Sequence, residues 1–142
     1  MRTQILKGAS LALVLGVLAL SAPAPVAAAD IRANVPFSFT VNKKVLPPGK
    51  YDVSNSAAHT LLIRGFGAGA VVMSQKSESA TATSPKLVFH RYGDEYILRE
   101  VWMGSASGYK LPETPREREL ASGRSGAATA SATFETVEVA IQ

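Results

Sequence analysis

The stretch from Ile31 to Asn42 alternates apolar and polar residues, and no other feature restricts the fold of this chain as strongly. Its apolar members are Ile31, Ala33, Val35, Phe37, Phe39 and Val41. A period of two sends successive side chains to opposite faces of a strand, so the pattern predicts a strand with one face in a core. Pro36 falls on the outward side and cannot donate a ladder hydrogen bond, which favours an edge strand or a bulged one.

Shorter apolar runs follow at residues 51–54, 60–64 and 70–75. The glycine-rich segment 65–69 predicts a hairpin with a loose five-residue connection between the last two runs. Ahead of the first run, Pro48 and Gly49 predict a type II turn in which Gly49 supplies the positive φ. Residues 76–85 have no periodicity and predict an exposed loop.

Residues 86–103 contain the strongest hairpin pattern. Gly93 and Asp94 suit a two-residue turn with glycine first, and that turn sets Phe89, His90 and Arg91 opposite Leu98, Ile97 and Tyr96. The face predicted to lie in the core carries Leu87, Phe89, Tyr96, Leu98 and Trp102, with Arg91 and Glu100 among them. The other face carries Val88, His90, Tyr92, Ile97 and Val101, with Glu95 and Arg99.

The C-terminal part combines one helix signal with flexible segments and a last strand. Thr114, Pro115 and Glu117 form the pattern of a capping box and predict one or two helical turns. Residues 104–108 are typical of a flexible loop and residues 121–133 of a flexible linker. From residue 134 onward the alternation resumes and predicts a strand on a tether.

These patterns predict an all-β fold, namely a small antiparallel β-barrel or sandwich of about seven strands with one short helix in the C-terminal half. The predicted organisation is a cleaved signal peptide (1–29), an antiparallel β domain (30–120), a flexible linker (121–133) and a C-terminal strand (134–142).

Residues 1–29 follow the order of a secretory signal peptide. Arg2 and Lys7 precede an uncharged apolar run at 8–20, and the small residues 27–29 form a cleavage site. A membrane anchor needs roughly 20 apolar residues, and this run is shorter. We therefore expect export to the periplasm or the exterior, with no stable membrane span after cleavage.

The charge balance argues against nucleic acid as a partner. The chain has 15 Lys and Arg against 11 Asp and Glu, and two of the basic residues belong to the predicted signal peptide. Nucleic-acid-binding domains gather Lys and Arg on one face. Here Lys43 and Lys44 form the only adjacent pair, which is typical of a solvated turn.

The chain contains, in this order, the motifs VPFSF (35–39), LPPGKY (46–51), LVFHRYGDEY (87–96), EVW (100–102) and REREL (116–120). In these motifs it resembles a group of small exported bacterial β-proteins of uncharacterised activity. The resemblance covers about residues 35–120. It implies export and an all-β fold, and it implies no catalytic residue and no ligand.

The residue inventory excludes several chemistries. Without cysteine there is no disulfide, thiolate zinc site or thiol nucleophile. His59 and His90 are too few for a zinc site, so we expect no metal and no cofactor. Gly65, Gly67 and Ala70 match the dinucleotide fingerprint in spacing only, because a β-like run rather than a helix follows.

The residue pattern gives little support to a hydrolase. The chain lacks the Gly-x-Ser-x-Gly elbow, although a triad is defined by geometry rather than by order. Glu95 and Glu100 lie an odd number of residues apart on one strand, so a pair of catalytic carboxylates is not expected. We assign no catalytic, cofactor-binding or metal-binding residue, and leave the ligand-binding residues unknown.

Four aromatic residues, Phe89, Tyr92, Tyr96 and Trp102, either line a ligand-binding face or belong to the core, and the pattern favours the core. We expect an exported, non-enzymatic β-domain that binds an unknown ligand or envelope protein. The alternative is a structural protein that self-associates through residues 134–142, which pair either within the chain or between chains.

Overall fold

The computed structural model describes residues 30–123 and 134–141, of which strands make up 62% and helix 8%. Two sheets form a small sandwich that does not close into a barrel, so the all-β prediction with one short helix is confirmed. The predicted signal peptide and residues 124–133 of the predicted linker lie outside the described residues.

The described residues form eleven strands and one helix rather than about seven strands, because some predicted strands divide between the two sheets and others were missed. The elements are β1 (Ile31–Val35), β2 (Phe39–Val41), β3 (Lys44–Leu46), β4 (Gly49–Ala57), β5 (Thr60–Gly65), β6 (Gly69–Met73), β7 (Gln75–Glu78), β8 (Lys86–Tyr92), β9 (Glu95–Gly104), β10 (Ser107–Lys110), α1 (Pro115–Gly123) and β11 (Glu135–Ala140).

Sheet A has the strand order β1-β4-β5-β6, and sheet B has the order β11-β8-β9-β10-β7. Strand β2 joins sheet B by pairing with β3 and by a parallel pair between Thr40 and Ile97 of β9. The two sheets touch at one side through a bridge between Ala33 of β1 and Ile141, next to β11.

The long N-terminal alternation supplies strands to both sheets. Its inward residues are buried as predicted, except Phe37, which is half-buried. The chain leaves the ladder at Pro36, so β1 becomes an edge strand of sheet A while β2 enters sheet B. Phe37 lies between the two strands, and its ring stacks on Tyr96 with centroids 3.9 Å apart.

The predicted register of the β8–β9 hairpin is confirmed near the turn, where Gly93 has a φ of 64°. Beyond Leu98 the register shifts, because Arg99 and Glu100 together oppose Val88 in a β-bulge. The shift reverses the alternation that follows it. Val101 therefore enters the main core, and Trp102 packs on the opposite face, which corrects the predicted core face.

The main core lies between the sheets and is made of aliphatic and aromatic side chains from both. Phe39 and Phe89 are its largest fully buried members, with ring centroids 5.3 Å apart. A smaller cluster on the outer face of sheet B joins Val88, Trp102 and Ala82. Because Ala82 is buried there, the predicted loop 76–85 packs in part against the sheet.

Three local predictions need correction. Gly49 begins β4 with an extended φ of 159° instead of the smaller positive φ of a type II turn. Part of the predicted loop 76–85 is strand β7, which pairs with β10. The predicted loop 104–108 is the turn of the β9–β10 hairpin, in which Ser105 and Ala106 have φ of 54° and 62°.

Two C-terminal predictions agree with the structure. The helix begins at Pro115 as predicted, although it extends to nine residues. The last strand keeps the predicted alternation, with Val137, Val139 and Ile141 partly buried and Glu138 exposed. It pairs with β8 of the same chain along six residues.

We predict that Ala106→Gly raises the free energy of unfolding by about 1 kcal/mol, because a left-handed backbone is unfavourable for alanine and favourable for glycine. The backbone bonds of Ala106 to Ala82 and Ser79 would remain. Urea denaturation would measure the change.

Ala140→Gly is the matched control, since Ala140 is exposed in regular strand β11. It should lower the free energy of unfolding by about 0.5 kcal/mol. Equal effects of the two substitutions would contradict the assigned backbone conformation.

Candidate functional site

Helix α1 carries a buried carboxylate, Glu117, whose side chain is only 2% exposed. The backbone N–H of Glu117 donates to Thr114 Oγ1 at 3.1 Å, which is half of the predicted capping box. The Glu117 carboxylate turns to the outer face of sheet B, where it meets side chains of β8 and β9.

Three side chains surround the Glu117 carboxylate. Arg99 donates to Oε2 at 2.9 Å, and Tyr92 donates its hydroxyl proton to Oε1 at 3.1 Å. His90 Nδ1 lies 3.2 Å from the same Oε1. Arg99 belongs to the bulge of β9, so the irregular part of the strand supplies the cation that the buried carboxylate needs.

These contacts change two pKa values. Burial raises the pKa of the Glu117 carboxyl, but the hydrogen bond from His90 and the charge of Arg99 lower it by more, so the pKa lies below its ordinary value of 4.5. Burial, followed by the negative charge of Glu117, raises the pKa of Tyr92 to about 12. Both shifts favour an ionised Glu117 beside a neutral Tyr92 at neutral pH.

The contacts of this cluster dock two C-terminal elements onto the sheet. His90 directs Nδ1 to Glu117, and Phe134 stacks on the imidazole ring with centroids 3.8 Å apart. Glu117 thus holds the helix, and His90 contacts the segment that leads into β11. The cluster joins two C-terminal elements to the outer face of sheet B.

We predict that Glu117→Gln lowers the free energy of unfolding by about 2 kcal/mol at pH 7, because Arg99 loses its buried anionic partner. A carboxyl with a lowered folded-state pKa stabilises the fold above its ordinary pKa and loses that effect as pH falls through the folded value. The difference in the free energy of unfolding between Glu117→Gln and the original protein should therefore become smaller below about pH 4.5. Urea denaturation from pH 7 to pH 3 would measure it.

Glu119→Gln is the control, since Glu119 lies on the same helix with its side chain 70% exposed. It should change stability by less than about 0.5 kcal/mol. A loss equal to that of Glu117→Gln, or a Glu117→Gln loss that stays constant down to pH 3, would contradict the assignment.

The aromatic residues singled out from the sequence are packed into the protein. Phe89 is fully buried in the main core, Trp102 packs with Val88 and Ala82, and Tyr92 is buried against Glu117. Tyr96 is half-buried on Phe37. The interpretation of these rings as packing residues therefore agrees with their positions.

The remaining candidates do not come together in one place. Glu95 pairs with Arg116, whereas Glu100 accepts a hydrogen bond from Trp102 Nε1 at 2.8 Å. The backbone carbonyl of His59 accepts a bond from Ser74. In the part of the chain that the structure describes, no group of three or more His, Asp or Glu residues is placed to hold a metal ion.

Strand β6 forms one edge of sheet A, and its protection against further strand pairing differs from that of the other described edges. The edge at β1 and β11 is bridged by Ala33 and Ile141. At the opposite end of sheet B, β7 carries Lys76 and Glu78, and charges of this kind discourage further strand pairing. The five residues of β6 include no charged residue.

The hydrogen-bonding groups of β6 alternate between β5 and the free edge. Ser74 N–H donates to His59 O at 2.8 Å, and these two residues continue the register of the β5–β6 ladder. Because such ladders alternate, Ala70 and Val72 direct their N–H and C=O groups to β5. Gly69, Val71 and Met73 direct theirs outward.

The β5–β6 hairpin also carries exposed apolar side chains. Five large apolar side chains are exposed among the described residues, and three of them, Phe66, Val71 and Met73, lie on this hairpin. Val71 and Met73 are 63% and 68% exposed, and Phe66 is fully exposed in the connection. Free backbone groups and apolar side chains therefore coincide on β6, which makes its edge the candidate binding site.

A cleft of about 300 Å³ lies beside this edge, between the Gly69–Val71 part of β6 and the turn that joins β2 to β3. The β2–β3 hairpin contributes Asn42 and Lys43 of the turn and Lys44, the first residue of β3, to its lining. Two other clefts, of about 360 and 340 Å³, lie beside β11 and beside the start of α1, and are lined mainly by polar and small residues.

Sequence reasoning did not identify β6 as a binding site. Its detectable signal is the ten-residue segment 65–74, which contains no charged residue and includes Phe66, Val71 and Met73. The same reasoning recognised Glu117 only as a helix-capping residue, because its burial depends on strands that are distant in the sequence.

Comparisons with protein-family models, curated proteins and solved structures found no significant match to this chain. In the described ranges, no helix combines the length and apolar character needed to cross a bilayer.

We predict that the amides of Val71 and Met73 exchange with solvent at least about tenfold faster than those of Val72 and Ser74 in the isolated protein, because only the latter donate within the sheet. Hydrogen exchange followed by NMR would measure the four rates. Equal protection of all four amides would show that the edge is already covered.

Proposed function

We propose that this protein is an exported, non-enzymatic binding module of the cell envelope or the extracellular space, and that it holds an extended segment of another polypeptide against the edge of β6. The observation that carries the proposal is the free, uncharged edge of β6 with its exposed apolar side chains. Export rests on the sequence pattern of residues 1–29.

Strand addition suits this edge because main-chain hydrogen bonds supply affinity and alternate side chains supply selectivity. An incoming strand would pair with the outward backbone groups of Gly69, Val71 and Met73. Its side chains on the outer face would meet Val71 and Met73. The fully exposed Phe66 would extend the contact at the end of the hairpin.

Self-association through the C-terminal strand receives less support. Strand β11 pairs with β8 of its own chain, and ion pairs of Lys86 with Glu138 (2.7 Å) and of Arg91 with Glu135 (3.2 Å) accompany the ladder. These contacts within the chain occupy β11, the strand through which the self-association alternative would pair with another molecule. The β6 edge remains available with β11 in this position.

The arrangement of His90 also favours a non-enzymatic role. Its Nδ1 faces Glu117, its ring is stacked on Phe134, and it lines none of the three clefts described above. A hydrolase would need an acid, a base and a nucleophile that converge in a cleft.

We predict that random linear peptides displayed on phage, selected on the purified protein, include binders that Val71→Pro weakens by at least about tenfold. Proline removes the outward N–H of Val71, which the β5–β6 ladder does not use. Fluorescence anisotropy of synthetic copies would measure the affinities. Hydrogen exchange should show new protection at Val71 and Met73 in the complex.

Lys76→Pro is the matched control, because it removes a backbone N–H from the other edge strand, β7, at a position that the ladder register with β10 directs outward. Circular dichroism and urea denaturation would check that both variants fold, and Val71→Asn, which removes the apolar side chain without adding charge, would replace Val71→Pro if proline disrupts the sheet. The proposal fails if selection yields no binder, or if binding survives both substitutions at Val71.

A further inference from the structure

We infer that the segment held at β6 is acidic, with carboxylates that contact the lysines of the neighbouring β2–β3 hairpin. This inference rests on the proposed function and adds the chemical class of the partner. Three cations adjoin one end of the β6 edge, and it is their arrangement that points to an anionic partner.

Two of these cations come from the β2–β3 hairpin across the cleft. Lys43 and Lys44 line the cleft of about 300 Å³ together with Gly69, Ala70 and Val71 of β6. Both lysines are exposed. A strand that enters the cleft to pair with Gly69 and Val71 would therefore place its side chains beside two ammonium groups.

The third cation lies on the sheet itself. Arg64 of β5 is the register partner of Gly69, so its side chain stands on the outer face next to the same end of β6. Gly69 has no side chain to separate Arg64 from an incoming strand. The edge thus combines an uncharged strand with positive charge from both sides.

Few acidic groups balance these cations. Among the described residues, neither Lys44 nor Arg64 has a carboxylate within ion-pair distance, and Asp52 on the neighbouring strand already binds Arg32 at 2.7 Å. Lys43 lines both this cleft and the cleft at the start of α1. Glu95 and Glu119 line only the second of these clefts. Charge complementarity therefore favours an acidic segment.

A polypeptide fits this site better than the other anionic partners. The outward N–H and C=O groups of β6 match an extended backbone, which lipids and nucleic acids lack. A second copy of this chain would bring the same excess of positive charge to the same edge. We therefore assign the site to an acidic extended segment of a different protein.

The test selects peptides from the random library separately on the original protein and on the Lys44→Glu variant. It then compares the Asp and Glu content of the two sets of peptides. Peptides selected on the original protein should be enriched in Asp and Glu. Replacing the acidic residues of one synthetic binder by lysine should weaken its binding about tenfold, by an amount that falls as salt is raised. The Lys44→Glu variant should bind the acidic peptide only about threefold more tightly than the lysine-substituted peptide, or less.

Arg118→Glu is the control, because it makes the same change in net charge at an exposed position of α1. It should leave the preference for acidic peptides unchanged. If binders are recovered, lose affinity with Val71→Pro and show no acidic preference, the inference fails while the proposed function stands. If no binder is recovered, both fail.

Two further measurements distinguish the other partners. A dimer in sedimentation velocity that Val71→Pro abolishes would show that a second copy occupies the edge. Binding to phosphatidylglycerol vesicles that Lys44→Glu weakens and Val71→Pro does not would identify an anionic lipid surface. Either result would overturn the inference.

Discussion

Backbone N–H and C=O groups at the edge of a β-sheet need a partner or protection, and this requirement shapes the whole sandwich. The described edges meet it in different ways. Ala33 and Ile141 bridge one side of the two sheets, and charged side chains protect β7 on the other. Strand β6 continues directly into β7 along the chain but lacks those charges. The proposed function follows from this difference between two successive strands.

The outer face of sheet B depends on a second requirement, the neutralisation of a buried carboxylate. Glu117 approaches the sheet only because Arg99, Tyr92 and His90 provide hydrogen bonds and positive charge there. Removing a carboxylate from water without such partners would be strongly unfavourable. The cluster therefore determines where the helix packs. His90 of the cluster also stacks on Phe134, which leads into the last strand, so the cluster contacts that end of the chain as well.

Much of the fold could be predicted because its signals are local. The alternation from Ile31 to Val41 and the turn at Gly93 depend on neighbouring residues, and both appear in the structure. The bulge at Arg99 could not be predicted from a period of two, which assumes a regular strand. Strands β7 and β10 were not predicted, because their polar and glycine residues are typical of loops. Only the pairing of β10 with β7 and with β9 makes them strands.

The sequence by itself determined that the chain forms strands, which side chains point inward along most of them, and where the helix begins. These properties follow from alternation, turn residues and capping, each of which acts over a few residues. Only the tertiary structure decided which strands are neighbours, and hence that Glu117 is buried and that β6 keeps a free edge beside Lys44. Such choices depend on packing between segments distant in the chain, so no short stretch of sequence contains them.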